Sequence, residues 1–191
     1  MAEHDLTLWL VRHGETEWSK SGQHTGRTDI PLTDKGTQEA DAIGWVLKDK
    51  KFDLVLSSPM QRARATADRA GFRSYDIEPN LREWDYGDFE GISTPDIRKG
   101  RPGWGLWKDG VPNGETVDQV GARADAVIAR AETTGGNVLL FGHGHILRIL
   151  IARWLGLAAV EGKDFLLETA TLTTLGHERE TRVITGLNRR C

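Results

Sequence analysis

The sequence predicts an α/β fold, a three-layer α/β/α sandwich whose central sheet is mostly parallel. Three short aliphatic segments, at 6–11, 52–58 and 137–141, have the length and composition of strands that are covered on both faces. Segments with helical spacing lie between and after these strands, and this alternation is typical of a parallel sheet flanked by helices. A chain of 191 residues suits one compact domain with a substantial core, so we expect a single domain over residues 1–191.

The first two helices are predicted from apolar spacing and from capping residues. Between the first two strands, PLTDKGTQEADAIGWVLKD carries apolar residues at helical spacing, and Thr33 is placed to cap the helix. After the second strand, a helix is predicted with Pro59 in its first turn, running to about Ala70 and stopped by Gly71. The segment YDIEPN, which follows, has the pattern of a short strand.

The second half of the chain predicts loops, two longer helices and a hairpin. The segment 82–115 is rich in Gly, Pro, Asp and Trp, which is typical of long loops with short helices. A helix is predicted in GETVDQVGARADAVIARAET, where Thr116 and Gln119 have the spacing of a capping box. Another helix, HILRILIARWLGL, follows the third strand, and ATLTTLGHERETRVITGLN predicts a closing hairpin.

Composition and charge limit the function classes. The net charge is −3 without a long basic run, so neither nucleic acid nor an anionic membrane is an expected partner. The longest apolar runs are too short, or too interrupted by arginine, to span a bilayer. The N-terminus carries acidic residues where a signal peptide needs basic ones, and the single Cys191 excludes an internal disulfide and a multi-cysteine metal site. We therefore expect a cytoplasmic protein.

Cationic and imidazole side chains follow three predicted strands. Arg12 and His13 follow the first strand, a helix carrying Arg62 follows the second, and His143 follows the third. In α/β folds ligands bind beyond the carboxyl ends of the strands, so these side chains are expected at one edge of the sheet. Arginine matches phosphate oxygens in bidentate fashion, and a neutral imidazole with its pKa lowered by arginine can attack phosphorus. The pattern therefore predicts phosphoryl transfer, with the glycines beside each histidine allowing close approach of a dianion.

A phosphate that leaves a sugar hydroxyl also needs a proton donor, because an alkoxide is a poor leaving group. The segment LREWDYGDFEG (81–91) offers several carboxyl groups among aromatic rings, namely Glu83, Asp85, Asp88 and Glu90. Aromatic surroundings and a bound dianion raise the pKa of a carboxyl, whereas nearby arginines lower it. On balance we expect a donor that holds its proton near neutrality and an activity optimum at mildly acidic pH.

Four segments resemble the signature motifs of the histidine phosphatase superfamily, also called phosphoglycerate-mutase-like: VRHGETEW, SSPMQRARAT, REWDYGDFEG and LLFGHGHILR. The resemblance spans most of the chain in the order of the family. It implies a phosphoglycerate-mutase-like fold in which His13 is the nucleophile that forms a phosphohistidine. It further implies that Arg12, Arg62 and His143 form the phosphate pocket, that Glu83 is the proton donor, and that neither a metal nor another cofactor takes part.

Within the superfamily, the sequence is most similar to sedoheptulose-1,7-bisphosphatases and related bacterial acid phosphatases. This similarity rests on RHGETEWSKSGQHTGRTDIPLT, LREWDYGDFEG and NGETVDQVGAR. It implies a small phosphorylated substrate, with sugar phosphates first and sedoheptulose 1,7-bisphosphate as the specific expectation. The implied substrate-binding residues are Ser19, His24, Thr25, Gly26, Trp84, Tyr86, Arg148 and His177. The branch is longer than this chain and usually has tyrosine at the position of His24.

Hydrolysis is predicted over two other activities. The true mutases of the family follow the donor glutamate with Arg-His-Tyr-Gly and a long basic insertion, whereas here Glu83 precedes Trp84-Asp85-Tyr86-Gly87. Less positive charge to retain a phosphoglycerate favours net hydrolysis. A phosphoglycerate mutase and a broad-specificity acid phosphatase are the alternatives. A catalytically silent phospho-ligand sensor is disfavoured because nucleophile, arginines and acid are all present.

The sequence allows more than one interpretation for each of two residues that follow the third strand. His145 is predicted to cap the following helix or to orient His143 rather than to touch substrate. With His143 it also forms a His-x-His pair, but because no third ligand stands beside the pair, a metal site is not expected. Arg148 is predicted to bind either the far phosphate of a bisphosphate or an acidic neighbour. An oligomer is not predicted.

Overall fold

The computed structural model describes residues 6–190. Residues 1–5 and Cys191 lie outside the described residues. The expectations about a signal peptide and a disulfide depend partly on them. The strands are β1 (Thr7–Arg12), β2 (Leu54–Ser57), β3 (Asp76–Ile77), β4 (Asn137–Gly142), β5 (Thr171–Glu178) and β6 (Thr181–Arg190). The α-helices are α1 (Glu17–Ser21), α2 (Asp34–Leu47), α3 (Gln61–Arg69), α4 (Thr94–Gly100), α5 (Leu106–Asp109), α6 (Val117–Thr134) and α7 (Gly144–Trp154).

The six strands form one sheet in the order β3-β2-β4-β1-β5-β6. The pairs β1–β4, β2–β4 and β2–β3 are parallel, whereas β5 and β6 form the predicted hairpin and join β1 antiparallel. The register places Arg12 beside Gly142 and Ser57 beside Phe141, so β1, β2 and β4 end at the same edge. The mostly parallel sheet predicted from the sequence is confirmed.

Helices cover both faces of this sheet, which explains why the central strands β1, β2 and β4 are mostly apolar. Leu8 and Leu10 of β1 join a core with α6 and α7, whereas Val11 joins a second core with α2 and α3. All three side chains are almost completely buried. Burial of an aliphatic side chain of this size contributes about 1.5–3 kcal/mol, so both cores hold β1 firmly in the centre.

The helix starts show what local sequence can and cannot predict. Thr33 accepts a hydrogen bond from the Gly36 N–H, and Thr116 forms the expected capping box with Gln119, so both predicted caps are confirmed. The helix after β2, in contrast, does not begin with Pro59 in its first turn. It begins at Gln61, whose N–H donates at 2.8 Å to the carboxylate of Asp29 from a distant loop. A cap supplied across the fold leaves no local sequence signal.

The remaining segments agree with the sequence expectations. The segment 82–115 contains only short helices, and it is joined to the chain before it by a 3₁₀ turn at Pro79–Leu81. Within residues 6–190, no helix has the length and apolar character needed to cross a membrane.

Candidate active site

Two imidazole rings meet at the edge of the sheet where β1 and β4 end. The ring centroids of His13 and His143 are 5.1 Å apart, with the planes inclined at 61°. Each histidine directly follows its strand, and because the two strands pair in parallel, the residues after them are neighbours. His13 is 5% exposed and His143 is fully buried. The structure therefore brings together the two histidines that the sequence placed at separate strand ends.

The hydrogen bonding of His13 leaves one ring nitrogen free to react. Its Nδ1 lies 2.8 Å from the carbonyl oxygen of Gly14, and because a carbonyl only accepts, Nδ1 must carry the hydrogen. The lone pair is then on Nε2. Burial lowers the pKa of His13 well below its ordinary value, and the charges of Arg62 and Arg12 lower it further. The ring is thus neutral at pH 7 and suited to nucleophilic attack.

Arg62 is completely buried and fixed by main-chain oxygens. Its Nη1 donates to the Thr28 carbonyl at 2.9 Å, and its Nη2 donates to the carbonyls of Thr25 and Gly26 at 3.1 Å each. Its Nε donates at 3.1 Å to Nδ1 of His143. These contacts hold the guanidinium against the imidazole pair without using a carboxylate, so its positive charge remains available to an anion.

His143 is held as a neutral hydrogen-bond donor. Since its Nδ1 accepts from Arg62, the ring hydrogen lies on Nε2, which is 2.7 Å from the hydroxyl oxygen of Ser58. Burial lowers the pKa of His143 well below its ordinary value, and the charge of Arg62 acts in the same direction. The single N–H of this neutral ring is paired with Ser58, so it could donate to a phosphate oxygen only in exchange for that bond.

Arg12 supplies a second guanidinium with unused hydrogen-bonding capacity. Its Nη1 donates to the Leu167 carbonyl at 2.6 Å, whereas its Nε is buried and has no hydrogen-bond partner among the described residues. A buried N–H that lacks an acceptor costs about 1–3 kcal/mol, so this atom is an uncompensated donor until an acceptor arrives. An anion between Arg12 and Arg62 would supply one.

Glu83 is anchored as a carboxylate at the amino end of α7. Its Oε1 accepts from the main-chain N–H groups of Trp84 and Ile146 at 2.9 and 3.0 Å, and its Oε2 accepts from that of His145 at 2.9 Å. Burial raises the pKa of Glu83, but the hydrogen bonds and positive charge of His145 outweigh it and hold the pKa well below its ordinary value. The direction is opposite to the one expected from the aromatic surroundings, because the side chain and the main-chain N–H of His145 stabilise the anion. The raised pKa expected beside a bound dianion stays a prediction.

A cluster of aromatic rings and two further imidazoles lies beside Glu83, and we call it the aromatic wall: Tyr86, Trp104 and Trp107 with His24 and His145. The His24 ring lies 4.7 Å from that of Tyr86 and 5.8 Å from that of Trp104, and the Tyr86 hydroxyl is 2.6 Å from Nδ1 of His145. Burial, helped by the charge of His145, lowers the pKa of His24 to about 4. His24 and Thr25 are partly exposed, whereas Tyr86 is nearly covered. His24 therefore presents a neutral, partly exposed ring beside Tyr86 and Trp104.

Three of the predicted substrate-binding residues instead have structural partners. The Ser19 hydroxyl completes a capping box with Thr16 at the start of α1. The Gly26 N–H is bound by the carboxylate of Glu90. Trp84 has no exposed surface, and its indole donates to a main-chain carbonyl at 2.8 Å. These residues hold the loops around the site, because their polar groups are already paired within the fold.

His177 is not brought to the site at all, so its predicted role in substrate binding is wrong. In the antiparallel pair of β1 and β5, Leu8 lies opposite Leu175, and His177 is two residues further from the carboxyl end of β1. At about 3.3 Å per residue, His177 and His13 are roughly 20 Å apart along the sheet. The His177 ring packs on Trp154 with centroids 5.1 Å apart. The direction of a closing hairpin strand, which decides this, is not visible in the motif pattern.

Among the described residues Arg148 forms no ion pair with a carboxylate, and its binding of a far phosphate stays a prediction. Its guanidinium donates to the main-chain carbonyls of Gly162 and Lys163 at 3.1 and 2.8 Å, and it lies over the ring of Trp107 at 4.9 Å. The ring of Trp107 is in turn 5.4 Å from that of His145, so Arg148 packs against the aromatic wall through Trp107.

Two residues position the phosphate side of the site through main-chain contacts. Thr66, which the sequence pattern did not single out, accepts from the Gly14 N–H at 3.1 Å and donates to the Arg62 carbonyl at 2.7 Å. Its spacing of four residues from Arg62 on α3 was the available signal. Glu90, one of the carboxyl groups offered by the segment 81–91, accepts from the N–H groups of Gly26 and Thr28 in the loop after α1.

Gly14 has a reason to be glycine that differs from the expected one. A Cβ at this position would lie 2.3 Å from the main-chain oxygen of Gly36 in α2. The missing side chain therefore allows two segments of main chain to touch, rather than leaving room for a dianion.

Among residues 6–190, no group of three or more His, Cys, Asp or Glu is arranged to hold a metal ion.

Comparison with known proteins agrees with this geometry. Residues 8–190 match the family model described as "Histidine phosphatase superfamily (branch 1)". An acid phosphatase of Mycobacterium tuberculosis is 41% identical over 184 residues, which cover 94% of this chain and 91% of that protein. Sedoheptulose 1,7-bisphosphatase of Saccharomyces cerevisiae is 39% identical, with 78% of this chain and 67% of that protein covered. Phosphoglycerate mutases are also among the relatives.

A solved structure supports the fold in the same way. The product of an open reading frame from Mycobacterium tuberculosis superposes with a TM-score of 0.91 at 39% identity. The match covers 97% of this chain and 98% of the other. The fold is therefore shared over essentially the whole length of both chains.

Proposed function

The chain belongs to the histidine phosphatase superfamily, and on that premise we propose that it hydrolyses sugar phosphates through a phosphohistidine at His13. The observation that carries the proposal is the pair of neutral imidazoles, 5.1 Å apart, beside the buried guanidinium of Arg62 and the partly buried one of Arg12. Such a pocket offers an anion positive charge and an N–H donor while leaving the Nε2 lone pair of His13 free. Metal-independent chemistry is proposed because Arg12 and Arg62 supply the charge that a cation would otherwise provide.

In the first proposed step, Nε2 of His13 attacks phosphorus while the bond from phosphorus to the substrate oxygen breaks. The departing oxygen takes a proton from Glu83, which must be protonated at that moment. Arg12, Arg62 and His143 hold the three equatorial oxygens as charge spreads over them. In the second step, water bonds to phosphorus, Glu83 receives its proton, and the P–N bond breaks to release inorganic phosphate.

Hydrolysis is proposed over mutase chemistry because of the charges beside Glu83. A neighbouring cleft of about 210 Å³ is lined by equal numbers of arginines and carboxylates, namely Arg27, Arg82 and Arg123 with Glu83, Asp85 and Glu115. Arg27 is paired with Asp85 at 2.5 Å, and Arg123 with Glu115 at 2.8 Å. A mutase must retain a phosphorylated acid between two phosphoryl transfers. A cleft with balanced charge would bind such an anion only weakly.

Sedoheptulose 1,7-bisphosphate is the proposed substrate to test first, since a bisphosphatase for this sugar and an acid phosphatase are both close relatives. We also propose that the chain is one domain and acts in the cytoplasm. A single sheet with both faces covered supports the first statement. The lone Cys191 and the modest net charge support the second.

The experiment combines a substrate panel with phosphoenzyme trapping. The protein, freed of metal with EDTA, is assayed for kcat/KM on sugar mono- and bisphosphates, and ³²P-labelled substrate is used to trap an acid-labile, base-stable label. We expect the label in the wild type, none in His13→Ala, and full label in the matched control His177→Gln. A bisphosphoglycerate-primed assay should yield free phosphate rather than isomerised phosphoglycerate. Label that persists in His13→Ala, or activity that disappears with EDTA, would contradict the proposal.

A further inference from the structure

The side chain of His145 lies between the proposed acid and a tyrosine. Its Nδ1 is 2.6 Å from the Tyr86 hydroxyl and 3.7 Å from Oε2 of Glu83. The same Glu83 oxygen accepts the main-chain N–H of His145 at 2.9 Å. The helix start is therefore bound to Glu83 through main chain that any residue supplies, and the imidazole is an additional group at the carboxylate.

Glu83 as a carboxylate lacks the proton that the proposed reaction needs. Three N–H donors stabilise Glu83 as an anion, and a substrate phosphate dianion brings no proton with it. When a dianion enters beside Glu83, repulsion between the two anions favours protonation of the carboxylate. A proton source near Oε2 is then required, and Nδ1 of His145 is a titratable group 3.7 Å from that oxygen.

We propose that His145 is the proton relay of this site, passing a proton from Nδ1 of its protonated ring to Oε2 of Glu83 when phosphorylated substrate binds. The proposal rests on the proposed function. On binding, the Nδ1–H bond breaks and a Glu83 O–H bond forms, and that hydrogen then goes to the leaving oxygen as the P–O bond breaks. During hydrolysis, water gives its hydroxide to phosphorus and its proton to Glu83, which returns it to His145. The cycle consumes one water and leaves the relay as it began.

The surroundings of His145 suit this task. Tyr86 stays protonated because burial raises the pKa of its hydroxyl well above the ordinary value, and a hydroxyl can donate to neutral Nδ1 or accept from its protonated form. From the loop after α1, His24 faces it with ring centroids 6.4 Å apart, and with a pKa of about 4 that ring is uncharged. The remaining neighbours are the rings of Trp84 and Trp107, at 6.2 and 5.4 Å, and Arg148 one turn further along α7.

The test separates proton delivery from a structural role by varying the leaving group. In His145→Asn the amide keeps a polar atom near the position of Nδ1 but carries no titrating proton. We expect kcat for a sugar phosphate to fall about 10- to 100-fold, within the range of general acid catalysis, whereas kcat for p-nitrophenyl phosphate changes less than about threefold. In the His145→Ala variant, added imidazole should restore part of the sugar phosphate activity.

Two further variants keep the proposal falsifiable. Glu83→Gln should show the same leaving-group dependence, and combining it with His145→Asn should add little further loss, because both act on one proton. Tyr86→Phe retains the ring packing and should show a smaller loss with the same preference for the aryl ester. Equal slowing of both esters by His145→Asn, or no slowing, overturns the relay alone. Absence of a phosphohistidine in the wild type overturns the proposed function itself.

Discussion

Thr66 connects the fold to the position of His13, the proposed nucleophile. Replacement by valine keeps the shape of the side chain and removes its hydroxyl, so the buried Gly14 N–H loses its acceptor. The Arg62 carbonyl is affected less because it remains within α3. An orphaned buried N–H costs about 1–3 kcal/mol, which for a domain of this size corresponds to a fall in Tm of roughly 2–10 °C.

The same change should slow the reaction, because Gly14 also supplies the carbonyl that fixes the His13 ring. A displacement of about 1 Å in a reacting group can cost about 10²-fold, so we expect kcat to fall at least about tenfold for sugar and aryl phosphates alike. Tm is measured by circular dichroism and kcat by phosphate release. Thr66→Ser, which retains the hydroxyl, should keep most activity, and Thr133→Val, which removes an exposed bond within α6, is the control. If Thr66→Val matches Thr133→Val in both measurements, the reasoning is wrong.

Three further outcomes are expected. Arg12→Met should lower kcat/KM by roughly 10²-fold or more with little change in Tm, because the lost bond from Nη1 to the Leu167 carbonyl is offset by removal of a buried Nε that has no partner. Burial and arginine lower the pKa of His13 and His143 in the folded state. Below the ordinary histidine pKa of about 6.5 the unfolded chain therefore binds more protons than the folded one, and the free energy of unfolding decreases as the pH is lowered. Tm measured from pH 7 to 5 should therefore decline, and His143→Gln should flatten that decline. His177→Gln should leave kcat/KM within about twofold of the wild type in the phosphate release assay, and a larger loss would contradict its placement far from the site.

The phosphate side of the site was predictable because the sheet register determines it. Arg12 and His13 follow one strand, His143 follows its direct parallel neighbour, and Arg62 sits in the first turn after a third strand. Local sequence identifies each strand, and the rule that ligands lie beyond carboxyl ends brings them together. The catalytic roles of these residues stay predictions until variants are measured, but their proximity follows from the fold.

The substrate side was less predictable because long-range contacts determine it. Ser19, Gly26 and Trp84 have polar groups that could bind a substrate, and the fold pairs each of them with a loop or cap partner instead. His177 illustrates the second cause, since its distance from the site depends on the direction of β5 rather than on any nearby residue. Family motifs specify residue types, whereas hydrogen-bond satisfaction decides which of them remain free.

Glu83 shows how positioning and reactivity oppose each other in one group. Each main-chain N–H that fixes the carboxylate at the start of α7 also stabilises its charged form, so tighter anchoring makes a weaker proton donor. The sequence reveals the aromatic rings and arginines around this carboxyl, but it gives no count of these donors. In the proposed mechanism the opposition is relieved when a phosphate dianion binds near Glu83, because repulsion between the two anions raises the proton affinity of the carboxylate. Once the leaving oxygen has taken that proton, Glu83 is again the carboxylate that the proposed second step needs as a base.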